Sequence, residues 1–344
     1  MEPAFDNQRR IMSHALFSYL IPLRQGKRKE LEKHCAVMLK TLLSRPEIQA
    51  LIGEWRVVWG PAIFQARGSR VADNTMYVVK KVDEPQYVIA IAGTNPASVY
   101  SWVKQAFGVR RMSPWPYRQV ENAMISSGTK ETLVVLTRKM RSEGAHLFEF
   151  LIGLTKDHRE PIRIDVTGLS LGGQLSSTLA LAMIDTQADW DPDGRATVSA
   201  YSISGPTAGN AEFAAHSDEV LGDRLHRYWN TLDIAACAWN VDSLGKLPSL
   251  YKPHVKTSWL VWWTVKRLRR TLAKNGYTQV GRDQPGLPGM YEPVLMNLDV
   301  GGLLGCKLTS LLQPRYSAFI KQAIYQHSIP YVWWLFVPPG SESD

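Results

Sequence analysis

Cysteine is scarce in this chain. Only Cys35, Cys237 and Cys306 occur among 344 residues, and they lie far apart. No Cys-x-x-Cys pair is present and no histidine lies at metal-ligand spacing, which argues against a disulfide framework and against a zinc site. We therefore expect no metal or other cofactor, and a compartment that is reducing or whose redox state does not matter to the fold.

Long apolar runs and export signals are also missing. The longest uncharged stretch, residues 166–184, is rich in Gly, Ser, Thr and Gln, so it does not predict a transmembrane helix. The N-terminal segment carries charge on both sides of a short apolar stretch, which is typical of an amphipathic helix rather than a cleaved signal peptide. These patterns predict a protein of the cytoplasm, one peripheral at a membrane, or one exported without a signal.

Acidic residues are too few to balance the basic ones. The chain has 31 Asp and Glu against 40 Lys and Arg, a net charge of +9, and its pI is near 9.4. Such a charge favours anionic surfaces such as phospholipid or nucleic acid, although a merely basic globular protein explains it equally well. The basic residues are scattered and no nucleic-acid-binding module is recognisable, so we expect no nucleic-acid partner.

The chain has no internal repeat, and its pattern of elements predicts an α/β fold. Residues 1–50 suggest two helices, and residues 54–92 contain short β-branched and aromatic runs typical of a strand meander. A long helical pattern at residues 121–152 is followed by strands, apolar on both faces, that alternate with helices. This predicts a mostly parallel sheet with helices on both faces. We predict a single domain over residues 1–344, with an N-terminal helical extension at 1–50 and a helical cap or lid insertion at 243–293.

The segment VTGLSLGG holds a candidate nucleophile. Ser170 lies between Gly168 and Gly172, after a predicted buried strand and before a predicted helix. A sharp strand-to-helix turn exposes such a serine, and it requires small residues two positions before and after it because strand and helix converge there. The pattern predicts a serine nucleophile. The alternative is a tight glycine turn whose serine only caps the helix, which would have the same sequence.

Two segments could supply hydrogen-bond donors to an oxyanion. The turn at Ser170 itself offers the backbone N–H of Leu171. The apolar strand YVIAIAGTN ends in Gly93 and Thr94, and Thr94 offers both its N–H and its hydroxyl. We predict an oxyanion hole formed by Thr94 and Leu171, although an ordinary polar turn after a strand explains the second segment as well.

The acid of such a site should follow Ser170 in the chain and precede the histidine. Asp233 satisfies this order, and it comes directly after the predicted strand in HRYWNTLD, where loops meet at the active edge of a parallel sheet. Asp299 is the reserve candidate. A solvated turn aspartate is the alternative interpretation of either residue.

Four histidines follow the candidate nucleophile. His216 and His226 precede Asp233 and break the expected order. His254 lies between two lysines in YKPHVK, which is typical of a surface turn. His327 follows the last long helical segment and precedes an aromatic tail, so a final loop could return it to the serine; we predict that His327 is the general base.

Five segments together resemble the class 3 lipase family of α/β-hydrolases: VTGLSLGGQLSS, IAGTN, AYSISGPTAGNAEFA, RYWNTLDIAA and YQHSIPY. The similarity covers about residues 87–331, with the motifs in the family's order. It implies an α/β-hydrolase that cleaves carboxylic esters of lipids, as a triacylglycerol lipase or a phospholipase, through an acyl-serine intermediate. It also implies the same site residues, which are Ser170, Asp233 and His327 with Thr94 and Leu171.

The chain departs from the family pattern at two single positions near the site and in the segment AACAW after Asp233, where the family often has a proline-marked apolar loop. Leu169 stands where the family usually has histidine, and Ala92 stands where arginine or serine is commoner. Neither position belongs to the triad, so the resemblance still implies activity. A soluble carboxylesterase, and a non-catalytic module that binds membrane or protein on the same fold, are the alternatives to a lipid-ester hydrolase.

Two aromatic segments suggest contact with lipid. Residues 98–117 follow the oxyanion segment, where the family has a mobile lid, and mix basic residues with Trp102, Phe107, Trp115 and Tyr117. Residues 259–274 place Val261, Val265, Leu268 and Leu272 on one helical face, with basic residues on the rest and three tryptophans at the start. The second pattern predicts an interfacial helix on an anionic membrane. A packed surface loop and a cap helix are the respective alternatives.

Overall fold

The computed structural model describes residues 6–21, 23–98, 100–101, 108–293 and 314–336. We number strands and helices in chain order. The strands are β1 Trp55–Phe64, β2 Asn74–Lys81, β3 Gln86–Ile91, β4 Met112–Pro114, β5 Met124–Ser126, β6 Ile162–Leu169, β7 Ala196–Ile203 and β8 Leu225–Tyr228. The helices are α1 Asn7–Phe17, α2 Arg28–Leu43, α3 Pro46–Ile52, α4 Ser127–Val134, α5 Leu147–Asp157, α6 Leu171–Asp185, α7 Gln187–Trp190, α8 Ala211–Leu221, α9 Val241–Lys246, α10 Trp259–Leu272, α11 Pro314–Gln326 and α12 Ile329–Phe336.

A six-stranded sheet forms the centre of the molecule, in the order β1, β2, β3, β6, β7, β8. The meander of β1, β2 and β3 is antiparallel, while β3, β6, β7 and β8 run parallel. Strand β3 is buried along its whole length, as expected for a parallel strand covered on both faces. The predicted mostly parallel sheet is confirmed.

The two faces of the sheet contact different helices. On β3, Ile89 and Ile91 belong to the hydrophobic cluster that contains Leu175 of α6. Their neighbours Val88 and Ala90 point to the other face and pack in the cluster that contains residues of α1 and α12. Helices therefore cover both faces of the sheet, with the N-terminal and C-terminal helices together on one of them.

Two local predictions were wrong. The long helix expected at residues 121–152 is interrupted: Met140 is extended, and Gly144 adopts a positive φ in a turn closed by Ser142 and Ala145. The N-terminal region contains three helices instead of two, because Pro46 forces the residue before it out of helical geometry and starts α3. The division into one domain, an N-terminal extension and a cap insertion stays a prediction.

The predicted lid lies partly outside the described residues, which do not include Trp102 and Phe107. Trp115 is buried, packs against Phe213, and donates its indole N–H to Asp185 at 2.7 Å. Trp115 is therefore covered by protein in this structure, and the role of residues 98–117 as a lid stays a prediction. In the described part of the chain, no helix is both long enough and apolar enough to cross a bilayer.

A buried histidine in α1 makes the fold sensitive to acid. His14 is fully buried against Phe17, Trp55 and Tyr77. Its Nε2 atom has no hydrogen-bond partner among the described residues. Burial lowers the pKa of His14 from 6.5 to about 3, so its imidazole stays neutral in the folded protein.

We expect acid to destabilise the wild type more than a His14→Met variant. Below pH 6.5 the unfolded chain binds a proton at His14, whereas the folded chain binds it only below about pH 3. Stability is therefore lost as the pH falls, by about 2 kcal/mol between about pH 7.5 and about pH 5. Urea denaturation followed by tryptophan fluorescence measures both proteins at both values. If the difference in free energy of unfolding between the two proteins did not change with pH, this prediction would be contradicted.

Candidate active site

The nucleophile candidate lies on the sharp turn that the sequence predicted. Ser170 joins β6 to α6 with φ 62° and ψ −126°, a backbone conformation that is rare for residues other than glycine. Its N–H donates to the carbonyl of Ile203 on the neighbouring strand at 2.9 Å. The turn is held in this strained geometry by the sheet, and the side chain is only half-buried.

The flanking glycines are required by close approach of the backbone. A Cβ atom on Gly168 would lie 2.3 Å from the carbonyl oxygen of Gly172. A Cβ atom on Gly172 would lie 2.3 Å from the carbonyl oxygen of Ile91 on β3. Strand, helix and the end of β3 therefore meet without room for side chains at these two positions, which is the physical basis of the Gly-x-Ser-x-Gly pattern.

The structure brings Ser170, His327 and Asp233 together although they are far apart in the chain. His327 Nε2 is 2.8 Å from Ser170 Oγ. Its Nδ1 is 3.0 Å from Asp233 Oδ2 and 3.1 Å from Oδ1. Asp233 is completely buried, whereas the His327 side chain is 29% exposed. The arrangement has the geometry of a nucleophile, a base and an orienting acid.

The electrostatics of this group favour a basic imidazole. Burial disfavours the charged form of His327, but the negative charge and the hydrogen bond of Asp233 outweigh it. The pKa of His327 is therefore raised above its ordinary value of 6.5. The imidazolium that forms when His327 takes a proton is therefore stabilised by the carboxylate of Asp233.

Two side chains that hold the acid were missed by the sequence reasoning. Ser204, just after β7, donates its hydroxyl to Asp233 Oδ2, and its Oγ is 3.1 Å from His327 Nδ1. Tyr331 donates its hydroxyl to the same carboxylate oxygen at 2.7 Å. The backbone N–H of Ala235 donates to Oδ1 at 2.8 Å. The only signal for Tyr331 was its position four residues after His327 in YQHSIPY.

An amide clamp joins the loop of the acid to the segment of the base. Asn230 donates its side-chain N–H to the backbone carbonyl of Gln326 at 3.0 Å and to its Oε1 at 2.7 Å. The backbone N–H of Asn230 donates to the hydroxyl of Tyr331 at 2.8 Å. Because Gln326 directly precedes His327, these bonds fix the position of the imidazole relative to the loop that carries Asp233.

The predicted oxyanion donors lie on two adjoining backbone segments. Leu171 is the first residue of α6, and Thr94 follows the end of β3. Ile91 pairs with Gly168 in the parallel ladder, so both segments leave the sheet at the same edge. A Cβ atom on Gly93 would lie 2.4 Å from the carbonyl oxygen of Leu169, which brings the loop of Thr94 against the turn of the nucleophile.

The leucine before the nucleophile packs against the N-terminal helix. Leu169 is buried in the cluster that contains Ile11, Met12 and Phe17 of that region. Tyr19 donates its hydroxyl to the carbonyl of Leu169 at 3.0 Å. An apolar residue at position 169 is therefore explained by the helix that covers this face of the sheet.

The other candidates lie elsewhere or outside the described residues. His254 is exposed and stacks on Tyr291 with ring centroids 4.2 Å apart. His216 is bonded to Asp185 at 2.9 Å, and His226 stacks on an aromatic ring of β7. Asp299 is not among the described residues.

Known proteins resemble this chain in both sequence and fold. Residues 88–241 match the family model described as Lipase (class 3). The M37 lipase structure superposes with a TM-score of 0.79 and 31% sequence identity, covering 96% of this chain and 92% of that one. The chain belongs to the class 3 lipase family. It is a carboxylic ester hydrolase of lipids, as the motifs indicated.

A second solved lipase is much less similar to this chain. Lipase II from Rhizopus niveus has 15% identity and a TM-score of 0.48, with 70% of this chain and 78% of that chain covered. A search of curated proteins found no match.

Proposed function

We propose that this lipase hydrolyses lipid esters through an acyl-serine intermediate formed on Ser170. His327 takes the proton of the serine hydroxyl as the oxygen attacks the acyl carbonyl, and later gives it to the leaving alcohol. Water then attacks the acyl-serine by the same route. Asp233 keeps the imidazole in the required tautomer and balances its charge. The observation that carries this proposal is the continuous hydrogen-bonded path from Ser170 Oγ through His327 to Asp233.

The oxyanion of the tetrahedral intermediate would be bound between two loops. The N–H of Leu171 points from the start of α6, where the helix dipole favours negative charge. Thr94 would add its N–H or its hydroxyl from the adjoining loop. The close backbone approach at Gly93 and Leu169 supports this pairing. Loss of one donor of this kind typically raises a barrier by about 3 kcal/mol.

Covalent labelling with a fluorophosphonate probe tests the nucleophile directly. We expect the folded enzyme to be labelled at Ser170, and the labelled peptide to be identified by mass spectrometry. Ser170→Ala should abolish labelling, while the exposed Ser249→Ala should leave it unchanged. Labelling of Ser170→Ala at the wild-type level would refute the proposed role, and so would absence of labelling in the wild type.

We also propose that the enzyme contacts an anionic membrane through α10. The two faces of α10 fit the two interpretations of its sequence. Val261 and Val265 are buried against the protein, as in a cap helix, while Trp259 is 68% exposed, as in an interfacial helix. Trp262 and Trp263 are exposed on the same helix, beside four exposed basic side chains, which are Lys266, Arg267, Arg269 and Arg270. Aromatic side chains next to cations are typical of a helix that lies at a lipid interface.

Charge reversal on α10 is expected to weaken vesicle binding. Lys266→Glu with Arg270→Glu removes two cations, each worth about 1 kcal/mol at an anionic surface, so affinity for phosphatidylglycerol vesicles should fall at least about tenfold. Sedimentation with vesicles measures the loss. Turnover of a soluble p-nitrophenyl ester should stay at the wild-type level.

The matched control for this variant is Lys156→Glu with Arg159→Glu, at exposed positions near the end of α5. It makes the same change of net charge, so equal loss of vesicle binding in both variants would assign the effect to overall charge. Binding by the α10 variant at the wild-type level would eliminate the proposed contact.

A further inference from the structure

A pocket of about 290 Å³ lies beside β8 and α9, and three of its lining residues are cationic. Arg227 comes from β8, Lys246 from α9, and Arg282 from the segment that follows α10. Thr231 and Ser243 also line the pocket. No carboxylate lines this pocket in the part of the chain that the structure describes. A pocket with three positive charges and no negative charge on its wall favours an anionic ligand.

The buried arginine is the strongest indication of a ligand. Arg227 is 7% exposed, and its Nε has no hydrogen-bond partner among the described residues. Its Nη2 lies 3.5 Å from the carbonyl oxygen of Ala236, at the outer limit of a hydrogen bond. Burial lowers the pKa of Arg227 only to about 10, so it stays charged at neutral pH. Buried donors of this kind are normally paired, and the pocket that Arg227 lines is where a ligand can approach its guanidinium.

The guanidinium is also held in place before any ligand arrives. Its central carbon lies 4.7 Å from the ring centroid of Trp229, in a cation–π contact that fixes the plane of the group. The indole N–H of Trp229 donates to the carbonyl of Gln284 at 3.2 Å. A fixed planar donor group is suited to an oxyanion with several acceptor atoms, because little side-chain entropy is lost on binding.

The two other cations lie at the exposed edge of the pocket. Lys246 is exposed on the last turn of α9. Arg282 is 3.7 Å from Asp283, and their side chains are 69% and 95% exposed. Exposed pairs of this kind contribute little in water. Arg282 is therefore available to a ligand whose negative charge is more buried than that of Asp283.

We propose that this pocket binds a phosphate monoester. Such a group carries nearly two negative charges at neutral pH and three strong acceptor oxygens, which suit the planar fork of Arg227 with Lys246 and Arg282. The pocket is larger than a single phosphate group, which leaves room for the esterified part of the ligand. The phosphate belongs either to a lipid headgroup or to a soluble ester. This inference does not depend on the roles proposed for the catalytic residues.

Calorimetry with inorganic phosphate tests the charge recognition. The edge variant Lys246→Gln with Arg282→Gln is preferred to a substitution of Arg227, whose buried position could be needed for folding. We expect the wild type to bind phosphate and this variant to bind it at least about tenfold more weakly, because two charge-assisted contacts are lost. The exposed pair Lys156→Gln with Arg159→Gln makes the same charge change outside the pocket, and should bind like the wild type.

Two further probes distinguish the sources of the phosphate. Glycerol 3-phosphate represents a soluble ester, and phosphatidylcholine vesicles that contain phosphatidic acid represent a headgroup. Weaker binding of either probe by the edge variant, relative to its control, supports the pocket and identifies its ligand class. Failure of the wild type to bind any of the three phosphate probes overturns the proposal, and so does equal loss of affinity in the edge variant and the control.

Discussion

Ser170→Ala is expected to lower kcat on a soluble ester on the order of 10⁶-fold, because it removes the oxygen atom that we propose forms the acyl bond. The residual rate would come from the oxyanion donors, which the substitution leaves in place. Turnover of p-nitrophenyl butyrate by the purified variant measures this effect. Alanine carries a Cβ as serine does, so the turn keeps its φ of 62° and the fold should be retained.

Ser249→Ala is the matched control, since it removes an exposed hydroxyl on a different segment and should keep wild-type turnover. Thermal unfolding of both variants checks that they are folded. Near-normal turnover by folded Ser170→Ala would mean that another group forms the acyl intermediate, or that ester hydrolysis proceeds by direct attack of water.

Asp233→Asn should lower kcat by about 10⁴-fold while leaving the shape of the site intact. Asparagine cannot balance the charge of a protonated His327, and its amide favours the wrong tautomer of the imidazole. The charge of Asp233 is what raises the pKa of His327 against the effect of burial. The variant should therefore lose activity at lower pH than the wild type, because its imidazole stays unprotonated to a lower pH.

The pH dependence of kcat/KM, measured for both proteins on the same soluble ester, checks both parts of this prediction. Asp242→Asn is a suitable control because Asp242 is an exposed carboxylate near the start of α9, and it should keep the wild-type profile. An Asp233→Asn profile that coincides with the wild type would show that Asp233 does not control the imidazole.

Local signals in the sequence predicted the fold and the proximity of the main site residues well. The close packing at Gly168 and Gly172 requires glycine at both positions, so it appears in the sequence as a short motif. The expected order of acid and base along the chain then selects Asp233 and His327 from many alternatives. These features are readable because the residue type is dictated by backbone sterics or by chemistry. Their catalytic roles remain predictions until the variants are measured.

The supporting residues could not be predicted in the same way. Ser204, Asn230 and Tyr331 lie in segments that resemble the family, but their bonds to the site depend on tertiary packing, which the residue types alone do not reveal. The interrupted helix at residues 121–152 is a different case. Its apolar spacing fitted a helix, but the reversal near Gly144 depends on how the flanking segments pack.

The contact between Tyr19 and Leu169 has a consequence for how the protein folds. It joins positions 150 residues apart, and the bond between His327 and Ser170 spans 157. Contacts of such sequence separation are costly in loop entropy and form late, after local helices and hairpins. We therefore expect recovery of ester turnover during refolding to report the formation of these long-range contacts.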